Sequence, residues 1–193
     1  MAPLTIGLTG GIAAGKSEAL RAFARLGAAT LSSDAVVHEL LDSEELRARL
    51  AERWGPEVVA DGKLDRARIG EIVFADPEEL TWLEAQIHPL VGERTADWLR
   101  SLPAETEVAV VEVPLLFEVG REAVFDTTVA VVAADEVRRG RAEARGHALV
   151  DEREARQLTQ LEKAERADHV VANDGSVEDL ERALSALLAK LRE

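Results

Sequence analysis

The chain has 193 residues, 47% of them hydrophobic and 31% charged, which fits a soluble globular fold with a sizeable core and not a disordered segment. It contains no cysteine, excluding disulfides and thiolate metal sites, and its formal net charge of −14 argues against a nucleic-acid-binding surface. No apolar run reaches membrane-spanning length, and no basic segment followed by an apolar core opens the chain, so the expected setting is cytoplasmic, away from membranes.

Leu4-Thr5-Ile6-Gly7-Leu8-Thr9 is a short apolar run suited to a buried parallel strand. Gly10-Gly11-Ile12-Ala13-Ala14-Gly15-Lys16-Ser17 follows and fits G-x-x-x-x-G-K-[ST]. Ala19, Leu20, Ala22, Phe23 and Leu26 then recur at helical spacing. Strand, glycine-rich turn and helix form the context that a phosphate-binding loop requires, against a chance match in an ordinary strand-to-helix turn. Glycines let backbone N–H groups converge on phosphate oxygens, and the helix N-terminus adds its positive end. Gly11, Ile12, Ala13, Ala14, Gly15, Lys16, Ser17 and Glu18 are the expected nucleotide contacts. Lys16 would reach the β- and γ-phosphates of ATP, and the Ser17 hydroxyl would hold Mg²⁺. Lysine is scarce, four residues against nineteen arginines, and one of the four sits in this loop, where a compact ammonium is wanted.

Ala28-Ala29-Thr30-Leu31 reads as a second strand, ending at Ser32-Ser33-Asp34 before a helical pattern resumes. Asp34 therefore lies at the C-terminal end of a strand, where open α/β sheets build their sites. It also suits a helix N-cap, with Ser33 as a competing cap, and the two roles can coexist.

From about Ser43 to Leu102 the texture changes to successive helices. Trp54, Trp82, Trp98 and Phe74 fall here, which points to a separate small core or an apolar binding face. Asp76-Pro77-Glu78-Glu79 predicts a helix start, and Ile87-His88-Pro89 predicts its stop. His88 on this basis is a boundary residue. The simplest account is a substrate-binding insert in one domain.

Glu107 to Val113 returns to strand character, then Pro114-Leu115-Leu116-Phe117-Glu118 leaves the sheet. Glu112 is a candidate Mg²⁺ carboxylate at a strand end, or a surface glutamate on an edge strand. Thr127 to Ala133 predicts another strand. After it, Arg138, Arg141 and Arg145 share a helical face, as a solvated helix or as a lid over phosphates. A helix over Asp151 to Arg166, a strand over Ala167 to Ala172, an Asn173-Asp174-Gly175-Ser176 turn and a final amphipathic helix complete an α/β pattern around a mostly parallel sheet.

Taken together, these motifs resemble the dephospho-CoA kinase family over nearly the whole chain. The resemblance rests on Gly7-Leu8-Thr9-Gly10-Gly11-Ile12 running into Gly15-Lys16-Ser17, on Asp34 before an apolar helix, and on His88-Pro89. It continues through Pro114-Leu115-Leu116-Phe117-Glu118, Arg141 and Arg145, Gln160, and Ala167-Asp168 through Ser176. It implies a P-loop NTPase-type three-layer fold, a single kinase domain over 1–193 with a five-stranded sheet. A helical acceptor-binding insert at about 43–102 and a lid at about 136–163 would complete it. The implied activity is ATP-dependent phosphorylation of the ribose 3′-hydroxyl of dephospho-CoA, with Mg²⁺ as cofactor. By the same analogy Asp34 is the base, Arg141 meets the transferring phosphate, and His88 and Leu116 serve the acceptor. Asn173 and Gly175 would lie near the adenine. Two departures stand out. Ala13-Ala14 replaces the usual Gly-Ser, tolerable where neither residue needs positive φ, and Ser32-Ser33-Asp34 replaces the usual Asp-Ala-Asp.

Three other kinds of protein share the phosphate loop. A nucleoside monophosphate kinase differs in its acceptor. A GTPase-type switch needs a guanine-reading Asn-Lys-x-Asp, which Asn173-Asp174-Gly175-Ser176 does not supply. A non-catalytic nucleotide-binding scaffold would not need Lys16, Ser17 and Asp34 together.

Overall fold

The computed structural model describes residues 2–144 and 157–192. They form two compact units, one of residues up to Ser32 together with those from Leu102 onward, the other Ser33–Ser101.

The first unit is built on a five-stranded sheet. Its strands are β1 (Leu4–Gly10), β2 (Ala29–Ser32), β5 (Val108–Glu112), β6 (Thr127–Val132) and β7 (His169–Ala172), in the order β2-β5-β1-β6-β7. All pairings are parallel, with Leu4 opposite Val108, Ile6 opposite Thr127, Ser32 opposite Glu112 and Val132 opposite Ala172. The near-continuous apolar composition of β5 and β6 follows from being covered on both faces. The strand order reverses at β1, so a crevice opens at the C-terminal ends of the strands there, and the phosphate loop leaves β1 at that point.

One sheet face carries α1 (Lys16–Arg25) and α8 (Val177–Leu191) over a core of Ile6, Leu8, Phe23, Val110, Val129, Leu180 and Leu184. Phe23 is fully buried, and its truncation to alanine should cost about 3–5 kcal/mol. The Ser176 side chain caps α8 in a reciprocal box with Asp179, as its spacing predicts. The sequence expectation of one continuous helix over Asp151 to Arg166 is corrected. Residues 151–156 lie outside the described chain, Gln157 to Thr159 is not helical, and α7 (Gln160–Arg166) starts from a Thr159–Glu162 capping box. Between β6 and α7 stands α6 (Asp135–Ala144).

The second unit contains α2 (Ser33–Leu41), α3 (Glu44–Trp54), α4 (Arg66–Ala75) and α5 (Pro77–Ser101). Its core includes Val36, Leu40, Leu46, Leu50, Ile69, Leu83 and Ile87. The texture of the sequence changes near Ser43, but the unit starts ten residues earlier, because α2 buries Val36 and Leu40 and packs on α5. The expected stop at His88-Pro89 is also corrected: α5 runs through Pro89. Proline there removes one intrahelical donor, a penalty of about 3 kcal/mol. Burial of Leu83 and Ile87 on the inner face of this 25-residue helix offsets it. A short antiparallel hairpin of β3 (Val59–Ala60) and β4 (Lys63–Leu64) interrupts the helices.

Trp54 and Trp82 meet edge to face at 5.3 Å, the Trp54 indole N–H donates to Glu79 Oε2 at 2.7 Å, and Arg53 lies over Trp82. Two of the three tryptophans thus build one polar-edged cluster inside this unit.

Candidate active site

The phosphate loop connects β1 to α1 through two demanding glycines. Gly10 has φ 152°, and a Cβ there would lie 2.3 Å from the Val131 carbonyl oxygen, which the sheet fixes. Gly15 has φ 101°, and a Cβ there would lie 2.1 Å from Asn173 Nδ2. Gly15 is also the N-cap of α1 and no side chain caps that end. Helix geometry leaves the leading N–H groups without intrahelical acceptors, so they are available to an anion. Ala13 does not satisfy the condition under which Ala13-Ala14 costs nothing: its φ is 59°, in the left-handed region. An L-residue there carries strain of about 1–2 kcal/mol.

Lys16 Nζ donates to the carbonyls of Gly10 and Gly11 at 3.2 and 3.1 Å, holding the ammonium against its own loop. Glu18 is drawn away from the loop: the Arg21 guanidinium, helped by Arg25, holds its carboxyl below the usual range against the opposing effect of burial. The Glu18 carboxylate is thereby engaged by Arg21 and Arg25.

Ser17 Oγ lies 3.5 Å from Glu112 Oε1. Glu112 is no surface residue of an edge strand: β5 lies between β2 and β1, and the residue is buried. A hydroxyl beside a buried carboxylate is hard-oxygen chemistry that suits Mg²⁺, which keeps several waters and takes one or two carboxylates together with phosphate oxygens. Among the described residues no group of three or more histidine and carboxylate side chains forms a metal cage.

Two arginines of α6 reach the same loop. Arg138 Nε donates to the Ile12 carbonyl at 2.9 Å and its guanidinium pairs with Asp135 at 3.1 Å. Arg141 Nη1 donates to the Ala14 carbonyl at 3.3 Å. The solvated-helix alternative therefore fails for these two and fits Arg139, which is exposed. Arg145 lies outside the described residues.

The buried Asn173 amide donates to the Ala14 carbonyl at 2.8 Å, and Asp174 accepts the Ala134 N–H at 2.6 Å. Gly175 sits against Asp179, with 2.7 Å between a Cβ placed there and Oδ2. A cavity of about 370 Å³ opens beside Gly11 and Ile12, walled by Arg138, Thr159 and Gln160. The Gln160 amide spans the Ala133 N–H and carbonyl at 3.1 and 2.9 Å. The structure thus brings together Gly11 to Ser17, Glu112, Arg141 and Asn173 in one unit.

Three other candidates remain. Leu116 is fully buried beside Gly7. Asp34 and His88 belong to the second unit. Helix α2 begins at Ser33, so Asp34 lies in its first turn and not at the capping position, with its carboxylate exposed. An acid there favours the helix N-terminus without needing a capping hydrogen bond. Asp34 follows the end of β2 by two residues, and Ser32 is the register partner of Glu112.

Sequence reasoning passed over Lys163 and valued Arg138 only as part of a face. The signal for Lys163 was its rarity, one of four lysines in an arginine-rich chain.

The family model for dephospho-CoA kinase matches residues 4–179. A dephospho-CoA kinase of Thermus thermophilus is 40% identical over 192 residues, spanning 98% of this chain and 92% of that protein. A crystal structure of a Thermus thermophilus protein superposes with a TM-score of 0.83 at 40% identity, covering 99% of each chain. The dephospho-CoA kinase from Campylobacter jejuni superposes with a TM-score of 0.72 at 26% identity, covering 97% of this chain and 96% of that one. With its phosphate loop, strand order and match over nearly the full length, the chain belongs to the dephospho-CoA kinase family.

Proposed function

We propose that this chain transfers the γ-phosphoryl group of ATP to the ribose 3′-hydroxyl of dephospho-CoA, giving coenzyme A, in the cytoplasm where ATP is supplied. The observation that carries this reading is the match to the family over residues 4–179, on a chain whose loop retains Lys16 and Ser17 beside a buried Glu112.

Phosphoryl transfer asks a protein for positioning and charge neutralisation more than for covalent chemistry. The loop N–H groups and Lys16 orient the triphosphate, and Arg141 meets charge that spreads onto the transferring group. Ser17 and Glu112 would hold Mg²⁺, which would supply positive charge to offset that of the triphosphate. Asp34 accepts the proton of the 3′-hydroxyl as its oxygen bonds to the γ-phosphorus and the bond to the ADP oxygen breaks. Residues 33–101 select the acceptor, with His88 among its contacts. Asn173 supports the adenine side through the loop, and the chain's acidic charge keeps nucleic acid out of the acceptor role.

Incubation with Mg-ATP and dephospho-CoA, read by mass for coenzyme A, tests the assignment. Production of ADP without coenzyme A, or transfer to a nucleoside monophosphate in its place, would overturn it.

A further inference from the structure

Lys163 is fully buried. Its ammonium donates to the Pro114 carbonyl at 2.5 Å and pairs with Glu118 Oε1 at 3.0 Å. The same Pro114 carbonyl accepts the Thr9 hydroxyl at 3.2 Å, and the same Glu118 oxygen accepts the Leu158 N–H at 2.9 Å. Four segments therefore meet at one ammonium: the end of β1, the turn after β5, the approach to α7, and α7 itself. Two of them run directly into the site. Thr9 precedes Gly10, and Pro114 follows Glu112 by two residues.

The third link goes through Gln160, one turn before Lys163 on α7. Gln160 Cβ lies 2.9 Å from where a Gly11 Cβ would stand, and its amide is fixed on Ala133. Lys163 below and Gln160 above thus set the height of the wall formed by Leu158 to Leu161 beside the loop.

Stability alone does not explain this arrangement. Buried ion pairs recover their desolvation cost only when every partner is satisfied, and Glu118 Oε2 is buried with no hydrogen bond among the described residues. Well-packed apolar side chains would serve a purely structural joint as well. The residue type is specific too. An ammonium is a compact point donor that reaches a carbonyl and a carboxylate in a small space, where the planar guanidinium this chain prefers elsewhere would not turn.

We infer that Lys163 is a positioning residue for phosphoryl transfer: with Glu118 it clamps the turn after β5 to the start of α7 and so fixes the wall against Gly11. The inference rests on the nucleotide site described above. It acts on the ATP side, so its loss raises the KM for ATP and spares the KM for the acceptor.

Steady-state kinetics of Lys163→Met, Glu118→Gln and the double variant test this, with calorimetric binding of a non-hydrolysable ATP analogue to each. Lys163→Met should raise the ATP KM about tenfold or more, with the acceptor KM within about twofold. Glu118→Gln should raise the ATP KM by about threefold or more, and the double variant should be no worse than Lys163→Met. A joint that only stabilised the fold would reduce the active fraction, lowering apparent kcat with both KM values unchanged. That result, equal rises in both KM values, or wild-type kinetics throughout would overturn the inference. Should Lys163→Met fail to fold, Glu118→Gln decides by the same split. A wild type that binds the analogue but makes no coenzyme A would overturn the acceptor assignment instead, and analogue binding by the variants would still decide the role of Lys163.

Discussion

Asn173 and Ala14 lie 159 positions apart, yet the Asn173 amide donates to the Ala14 carbonyl at 2.8 Å and fills the space a side chain at Gly15 would need. The turn after β7 is thereby a wall of the phosphate loop. Asn173→Ala should cost about 1 kcal/mol, because Arg141 still donates to that carbonyl, and should weaken ATP binding more than acceptor binding. Gly15→Ala should be far worse, combining strain at positive φ with a clash. Thermal melting and titration with an ATP analogue check both variants, and unaltered binding in either would dissolve the link.

Asp34→Asn separates catalysis from structure. Its carboxylate is exposed in the first turn of α2, so stability should change little. Removing the proton acceptor should slow transfer about 10²–10⁴-fold while ATP binding survives. Single-turnover formation of coenzyme A measures this, and near wild-type turnover would remove Asp34 from the mechanism.

Arg141→Lys keeps the charge but loses the planar fork, and should lower kcat more than it raises the acceptor KM. Arg139→Lys, on the exposed side of α6, should leave both unchanged. Equal effects would mean that the arginines act only through bulk charge.

Ala13 offers a test in the stabilising direction. Ala13→Gly should relieve about 1–2 kcal/mol of strain at φ 59°, less about 0.4–1 kcal/mol from the freer unfolded chain. The net expectation is a slightly higher Tm. A lower Tm would show that the Ala13 methyl contributes packing that exceeds its strain.

The far end of the sheet sets a pH limit. Asp168 accepts the Thr128 hydroxyl and N–H at 2.8 Å each, and the Thr127 hydroxyl at 3.4 Å. The Thr128 hydroxyl first, then its N–H, the Thr127 hydroxyl and nearby His169 hold the Asp168 carboxyl below its usual range, against burial. A folded pKa below the unfolded value means stability that is complete above the unfolded value near 3.9 and is lost as pH falls through the folded one. Asp168→Asn should therefore lower Tm at about pH 6 and narrow the gap to wild type at about pH 3. kcat should stay constant, because the clasp sits at the start of β6 and β7 and the site at their ends. A gap that is constant with pH would assign the effect to packing.

Much of this was legible in the sequence because local rules agreed with one another. Strand, glycine turn and helix coincided at Gly10 to Ser17, and the capping residues Asp76 and Ser176 stand where α5 and α8 begin. The misses came where distant burial outweighed a local rule. Pro89 signals a break, but the buried side of α5 carries the helix past it. Ala13 reads as an ordinary residue until the loop imposes its φ. The hairpin was different: Asp61-Gly62, with φ 51° and 76°, is a two-residue turn signal that was present and overlooked. The rarity of lysine flags Lys163, but its role was hidden because its partners Pro114 and Glu118 lie 49 and 45 positions away.

The strand order also governs what a growing chain can do on the ribosome. β1 is made before the other strands of its sheet, but its neighbours there are β5 and β6, and β2 lies at the sheet edge beside β5. Until Val108 and its successors emerge, β1 and β2 have no ladder to join, while every residue of Ser33–Ser101 has already been synthesised. Late, long-range parallel pairing of this kind is slow and leaves sticky segments open to one another. Vectorial synthesis therefore imposes a waiting period on the strand that carries the phosphate loop. Nascent chains halted before Val108 should be recognised by hydrophobic-segment chaperones, and that binding should fall once the chain extends past Val132.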